Sequence, residues 1–412
     1  MALLISDSAA LAKFCAAQRG ASFVTVDTEF LRESTYWPKL CLVQIAGPEE
    51  AAAIDTLAPG IDLQPLLDLM ADESVLKVFH AARQDLEIFF KLMGQVPSPL
   101  FDSQVAAMVC GFGDSIAYDK LVMALTGVSI DKASRFTNWA ERPLTDAQLS
   151  YALSDVTHLR DVYTGLSRRM DESGRGEWLE DEMAILRDPA SYQTDPELAY
   201  LRIKSRTAKP KFLAVLQRVA AWREREAQSR NQPRNWVLRD DALLNIAAQA
   251  PTSQQALARC RGLGKGVADG RIGREILAAV ESALALPPED RPKARQPQPE
   301  GARATAAADL LKVLLKACCD KHDVAPKLIA SSGDLDRLST GERDGIQALE
   351  GWRLDVFGQH ALDLMEGRLA LTIRTGKLPG SIQDKHRYRG SNSWNTPTVS
   401  YTHLTLPTIL PV

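Results

Sequence analysis

The chain has 412 residues, 45% of them hydrophobic and 25% charged, with a formal net charge of −3. That length exceeds what one compact core holds, so two or three domains are expected. The composition is that of an ordinary soluble globular protein, and no apolar run reaches the roughly 18 residues of a membrane helix, which excludes a membrane-spanning protein.

The first eight residues, Met-Ala-Leu-Leu-Ile-Ser-Asp-Ser, have neither a basic start nor a long apolar segment, so no secretory signal is expected and the cytoplasm is the default location. Three strands follow: Phe23-Val24-Thr25-Val26, Leu40 to Ala46, and Ala51 to Asp55. From Leu63 the apolar spacing turns helical, interrupted by a fourth strand at Val75 to Phe79 that leads into a helix from about Ala82. This is a mixed α/β domain. After about residue 100 the pattern is almost wholly helical, through a helix containing Leu149 to Tyr163.

Four or five short helices are predicted between Pro210 and about Ala285, with breaks at 231–234, 250–253 and 261–266. Residues 287–302 are rich in proline and charge and read as a linker. A second helical block runs from about Arg303 to Ile373 and is similar in size, which allows a diverged repeat of the first. From about Lys377 the helical period is lost; the segment to Val412 is expected to be a disordered extension or a misread gene end, and no function is assigned to it.

The modest net charge hides a polarity. Residues 21–170 carry 12 basic against 20 acidic side chains, whereas 202–282 carry 16 against 7. An acidic half concentrates divalent cations and a basic half holds a phosphate backbone. Six cysteines (Cys15, Cys41, Cys110, Cys260, Cys318, Cys319) are scattered without a CxxC pair, so buried thiols are expected rather than a zinc site or a disulfide framework.

Three constellations carry chemistry. In Phe23-Val24-Thr25-Val26-Asp27-Thr28-Glu29-Phe30 a strand places two carboxylates on one face, where they repel each other unless a cation lies between them. In Val78 to Phe90, Asp85 lies in the early turns of a helix that follows a strand end; by itself it could simply complement the helix dipole. In Leu149-Ser150-Tyr151-Ala152-Leu153-Ser154-Asp155-Val156, Tyr151 and Asp155 are four apart and share a helix face. Each is bland alone; the combination is not.

The order and distances of these three resemble the DEDD exonuclease superfamily, in the branch with tyrosine rather than histidine. The surrounding text is similar to the ribonuclease D family: Gln44-Ile45, His80-Ala81, Phe101-Asp102-Ser103-Gln104, Ser134-Arg135, Trp139 and Arg142-Pro143-Leu144. The helical block with Trp222, Arg223, Trp236, Val237 and Arg261-Gly262-Leu263-Gly264 resembles an HRDC domain, and the second block resembles one more faintly. The resemblance implies a ribonuclease H-like (DnaQ-like) α/β exonuclease domain over 1–200 and two all-α HRDC domains, at 206–286 and 303–376. The linker lies at 287–302 and the tail at 377–412.

The implied activity is hydrolytic removal of nucleotides from the 3′ end of RNA with a single-stranded terminus, with transfer RNA precursors as the family's substrates. The protein would act as a monomer. Two divalent metals about 4 Å apart supply a stronger nucleophile and absorb charge on the leaving oxygen. Carboxylates suit magnesium or manganese better than zinc. By resemblance Asp27 would bridge the metals, Glu29 and Asp155 would complete the site that activates water, and Asp85 would support the second metal through water. Tyr151 would orient the attacking water, being a poor base at a pKa near roughly 10.

Candidate RNA contacts are His80, Trp139, Arg261, Gly262, Gly264 and Lys265. His80 reads more readily as a strand-end structural residue, and Asp102 as either a buttress or a helix cap. Trp37, Phe136 and Trp139 are either core or stacking platforms. The glycines of 261–266 let backbone amides approach phosphate, although the GxxxxGK[ST] spacing of nucleotide hydrolases is missing. Two other readings compete: a DNA 3′-5′ exonuclease, since the same carboxylates cleave DNA, and a non-catalytic RNA-binding protein, against which the intact set of carboxylates and Tyr151 argues.

Overall fold

The computed structural model describes residues 3–130, 137–207, 209–264, 266–293, 306–372 and 403–405. They fall into two compact units, the first drawn from 1–103, 125–164 and 182–297, the second from 104–124, 165–181 and 298–412. Among the described residues no helix is long and apolar enough to cross a membrane.

The first unit opens with β1 (Leu3–Ile5), α1 (Ser8–Gln18), β2 (Phe23–Leu31), β3 (Lys39–Ala46), β4 (Ala51–Asp55), α2 (Gln64–Ala71), β5 (Leu76–Phe79), α3 (Arg83–Met93) and β6 (Leu100–Asp102). The six strands form one mixed sheet in the order β1-β4-β3-β2-β5-β6. β2 lies inside it, antiparallel to β3 and parallel to β5. The four strands legible from apolar runs are all present, and β2 runs from Phe23 to Leu31, carrying Asp27 and Glu29 within the ladder as the strand reading expects. Three-residue β1 and β6 are not legible in the sequence because so short a segment shows no alternation.

The chain continues through α4 (Ser103–Val109), α5 (Tyr118–Thr126), the 28-residue α6 (Asp146–Ser173) and α7 (Gly176–Arg187). The basic region then forms α8 (Pro210–Ser229), α9 (Arg234–Val237), α10 (Asp240–Gln249), α11 (Gln254–Ala258) and α12 (Arg271–Leu284). Four or five short helices are expected here and five are present, but α8 is 20 residues long. Its apolar stripe, Val215, Leu216 and Val219, packs with Leu243 and Ile246 of α10 and with Ile276 and Val280 of α12, all buried.

Within this unit a buried contact fastens the helical block to the sheet. Tyr36, in the turn after β2, donates its hydroxyl to Glu224 of α8, which is fully buried. Arg234 closes on the same carboxylate through Nε and Nη2, each at 2.6 Å, and its guanidinium lies 4.7 Å from the Tyr36 ring centre. Burial works against the Glu224 charge, but hydrogen bonds from Arg234 and Tyr36 prevail and hold its carboxyl below the ordinary range. The backbone N–H of Trp37 adds a bond to Asn231 Oδ1 at 2.9 Å.

In the second unit α13 (Ala306–His322), α14 (Pro326–Ile329), α15 (Ser332–Ser339), α16 (Gly351–Arg353) and α17 (Gln359–Met365) have their own core, with Leu311, Leu314, Leu335 and Phe357 fully or nearly buried. Trp178 stacks on Trp352 at 4.2 Å between ring centres and 8° between planes. A π-helical stretch, Leu354–Gly358, precedes α17, and a Cβ at Gly358 would meet the Ala348 carbonyl oxygen at 2.2 Å, so only glycine fits. All six cysteines are free and buried. Of the segment after residue 377 only His403–Thr405 lies within the described residues, paired in parallel with Ala370–Thr372; the expectation of disorder otherwise lies outside them, as does most of the expected linker.

Candidate active site

β2 supplies the floor of the site. Side chains alternate along a strand, so Thr25, Asp27 and Glu29 share one face. Thr25 is fully buried and donates its hydroxyl to the Val156 carbonyl oxygen of α6 at 2.7 Å. That bond sets α6 on β2 one residue from Asp155. The lead-in to α6 is held by Arg142, whose guanidinium meets Asp55 at 2.7 and 2.8 Å and also donates to the carbonyl oxygens of Cys41 and Trp139. Asp27, Glu29 and Asp155 thereby bring one carboxylate oxygen each to within 4.8 Å of one another.

The fourth carboxylate arrives from the other direction. β5 ends at Phe79, and the chain turns through Ala81 at φ 57°, a backbone shape that side chains rarely adopt, before α3 begins. Asp102, 3% exposed at the end of β6, holds that turn by accepting the backbone N–H groups of Ala81 and Ala82 at 3.0 and 2.8 Å. α3 itself has no side-chain cap, so Asp102 buttresses the turn that leads into the helix carrying Asp85. Asp85 follows in the first turn of α3, buried, and accepts the hydroxyl of Thr28. It stands outside the three-carboxylate group but feels the charge of Asp27.

These acids crowd one another in a low-dielectric setting. Burial pushes Asp27 up to about 6, with the Thr28 backbone bond opposing. Burial, then the Asp27 charge, holds Asp85 well above the carboxylate range. Tyr151, one turn before Asp155, is raised above its ordinary value by burial and then by Asp155, Glu29 and Asp27. A divalent cation is the natural relief for such a group, because it replaces protons and cancels the repulsion. The donors are all hard oxygens, as magnesium or manganese requires, and the group contains neither histidine nor cysteine. Gln44 faces Asp27 across the β2–β3 register, is fully buried, and leaves both amide atoms without a partner among the described protein atoms. Such an orphan favours a hydrogen-bonding guest on that face.

The other candidates fare differently. His80 places Nδ1 2.9 Å from Ser103 Oγ at the end of β5. Trp139 is corrected to a core residue: it is 3% exposed, packed with Cys41, Leu149 and Ala152, and has no free face for a base. Arg261, Gly262 and Gly264 are exposed, yet the Arg261 backbone N–H is taken by Asn245 Oδ1 at 2.8 Å, so that amide is not free for phosphate. Gly262 adopts φ 85° beside Ala242, where a Cβ would meet the Ala242 Cβ at 2.9 Å; the glycine therefore serves close packing. Lys265 and Phe136 lie outside the described residues. Sequence reasoning missed Thr25, whose only signal is a polar residue inside an apolar run, and Thr28, hidden between the two acids.

Residues 3–171 match the family model for a 3′-5′ exonuclease, and residues 212–280 match that for the HRDC domain. A ribonuclease D from Granulibacter bethesdensis is 51% identical over 371 residues, covering 90% of this chain and 94% of its own. Another from Gluconacetobacter diazotrophicus is 54% identical over 356 residues, covering 86% and 90%. Among solved structures, Escherichia coli RNase D, described as an exoribonuclease involved in structured RNA processing, aligns with TM-score 0.77 at 30% identity over 89% of this chain and 99% of that one.

Proposed function

The chain belongs to the ribonuclease D family and is a 3′-to-5′ exoribonuclease, and from that premise we propose how its residues cleave and which RNA it takes. The observation that carries the reading is the convergence of Asp27, Glu29 and Asp155 within 4.8 Å, with Asp85 electrostatically joined to them. Asp27, on the floor strand, would hold both of two divalent cations, magnesium or manganese; Glu29 and Asp155 would complete one position, and Asp85 would serve the other. When bound, the cations supply an acidified nucleophile and neutralise charge on the leaving oxygen.

The protein's own groups do the positioning. Thr28 fixes the Asp85 carboxyl, and Thr25 fixes the height of α6, so the carboxylates are set before the substrate arrives. A tyrosine hydroxyl ordinarily keeps its proton at neutral pH, so Tyr151 would be a donor that orients the attacking water rather than a base. The basic helical block offers a surface for the body of a structured RNA, and transfer RNA precursors are the substrates we assign, trimmed by a monomer in the cytoplasm. A 3′-tailed transfer RNA and a DNA oligonucleotide of matched length, incubated with magnesium, manganese or EDTA, test this beside an Asp155→Asn variant. Stepwise, metal-dependent shortening of the RNA alone, abolished in the variant, is the expected result. Preferential digestion of the DNA, or shortening that survives EDTA, would overturn the assignment.

A further inference from the structure

Beside the Tyr36–Glu224–Arg234 contact the first unit holds two adjoining cavities of about 210 and 410 Å³, which share Arg32, Tyr36, Arg202 and Arg234. The smaller one is completed by Arg83 and Glu87 of α3, the larger one by Arg223 and Asp240 of the helical block. Five guanidinium groups therefore meet three carboxylates. The carboxylates are spoken for: Glu87 pairs bidentately with Arg32 at 2.8 and 2.9 Å, Glu224 with Arg234 at 2.6 Å, and Asp240 with Arg223 at 2.7 Å. Arg83 and Arg202 are left, both exposed and neither in an ion pair among the described residues; Arg83 makes only a 3.5 Å bond to the Ser191 carbonyl oxygen. One comes from the sheet side and the other from the segment leading into α8, so the positive surplus arises where these two parts of the unit meet.

We propose that this cleft is a phosphate-binding subsite that grips the RNA backbone on the 5′ side of the cleaved bond. A guanidinium fork matches phosphate oxygens bidentately, which a lysine does not. Arg83 precedes Asp85 by two positions on α3, so the two project from nearly opposite flanks of the helix. The cleft is thus set back from the catalytic carboxylates by about the width of a helix, roughly 10 Å. A strand whose 3′ end reaches the acids passes there with its backbone still in contact with the protein, and the paired arginines keep the acids of the cleft from repelling it. The assignment rests on the RNA-cleaving reading above and adds to it the place where the upstream strand is held.

The test uses the full chain in an Asp155→Asn background, with a fluorescent single-stranded oligoribonucleotide followed by anisotropy across a salt series. Arg202→Glu and Arg83→Glu should each weaken binding about tenfold at low salt, and each should lower the slope of log affinity against log salt by about 0.7 for the one phosphate no longer neutralised. Arg202→Lys should keep the slope. Both side chains are exposed, and unchanged thermal melting of the variants excludes a folding defect. Uridine 5′-monophosphate, titrated in parallel, separates the RNA backbone from a free nucleotide: loss of its binding in Arg202→Glu with RNA affinity intact would overturn the proposal. So would unchanged affinity and slope in both Glu variants while the parent enzyme trims RNA. Failure of the parent to trim any RNA would instead sink the reading on which the proposal rests.

Discussion

Replacing Asp27 with asparagine should destroy activity and yet stabilise the metal-free protein. Folding raises the Asp27 carboxyl from 3.8 to about 6. At about 1.4 kcal/mol per unit this is a cost of at most about 3 kcal/mol, and of the order of 2 once the side chain's partial exposure is allowed for. Below pH 3.8 the carboxyl is protonated in both folded and unfolded chains, and no cost arises. From there to about pH 6 the unfolded chain alone ionises, so the cost grows with pH; above about 6 it is constant. An amide in place of the Asp27 carboxyl would carry no charge and would relieve Asp85 as well. In EDTA at neutral pH the variant should therefore melt roughly 4–8 °C above the parent, a gap that closes as pH falls toward 4. Magnesium should raise the parent's melting temperature and leave the variant's nearly unchanged, while the variant's turnover drops by about 10³-fold or more. Calorimetry in EDTA across that pH range, with and without magnesium, measures both thermal effects, and a trimming assay measures the turnover. A variant that melts at or below the parent at neutral pH without metal would refute the claim that these acids store repulsion for a cation.

Tyr151→Phe should lower kcat about 10–100-fold and leave the alkaline side of the pH profile unchanged to about pH 9, because the hydroxyl it removes stays protonated there; a shifted alkaline limb in stopped-flow trimming assays would mark Tyr151 as a base. Glu224→Ala should cost about 2 kcal/mol in denaturant unfolding by leaving the Tyr36 hydroxyl buried without its acceptor. The contribution of Glu224 itself, whose carboxyl is held below its ordinary value, should be present above about pH 4.5 and vanish as pH falls through the lowered value. Asp102→Ala should cost about 1 kcal/mol by leaving the Ala81 and Ala82 N–H groups without their acceptor, and kcat should fall further than that figure alone implies, since the turn sets the start of the helix that carries Asp85. Equal kcat in that variant would show that Asp85 is placed by other contacts.

The parts of the site that sequence could determine are those governed by a local period. Two residues on a strand fix the shared face of Asp27 and Glu29, and four on a helix fix that of Tyr151 and Asp155, so both pairs could be read before any fold was known. Apolar runs long enough to alternate revealed β2 through β5, whereas three-residue β1 and β6 carried no period to read. Trp139 shows the limit of residue type as a guide, since an indole suits a base or a core equally and only its 3% exposure settles which it serves here.

What tertiary structure alone decided are contacts between distant segments. The Thr25 hydroxyl meets a carbonyl 131 residues away, Thr28 meets Asp85 across 57, and Tyr36 meets Glu224 across 188. No periodicity encodes such pairs, because they depend on which faces the packed core leaves opposite one another. The raised carboxyl groups, the turn held by Asp102 and the arginine cleft all follow from that packing. Sequence determined which acidic groups could share a face; burial and long-range closure determined their charge and how they are brought together on the sheet.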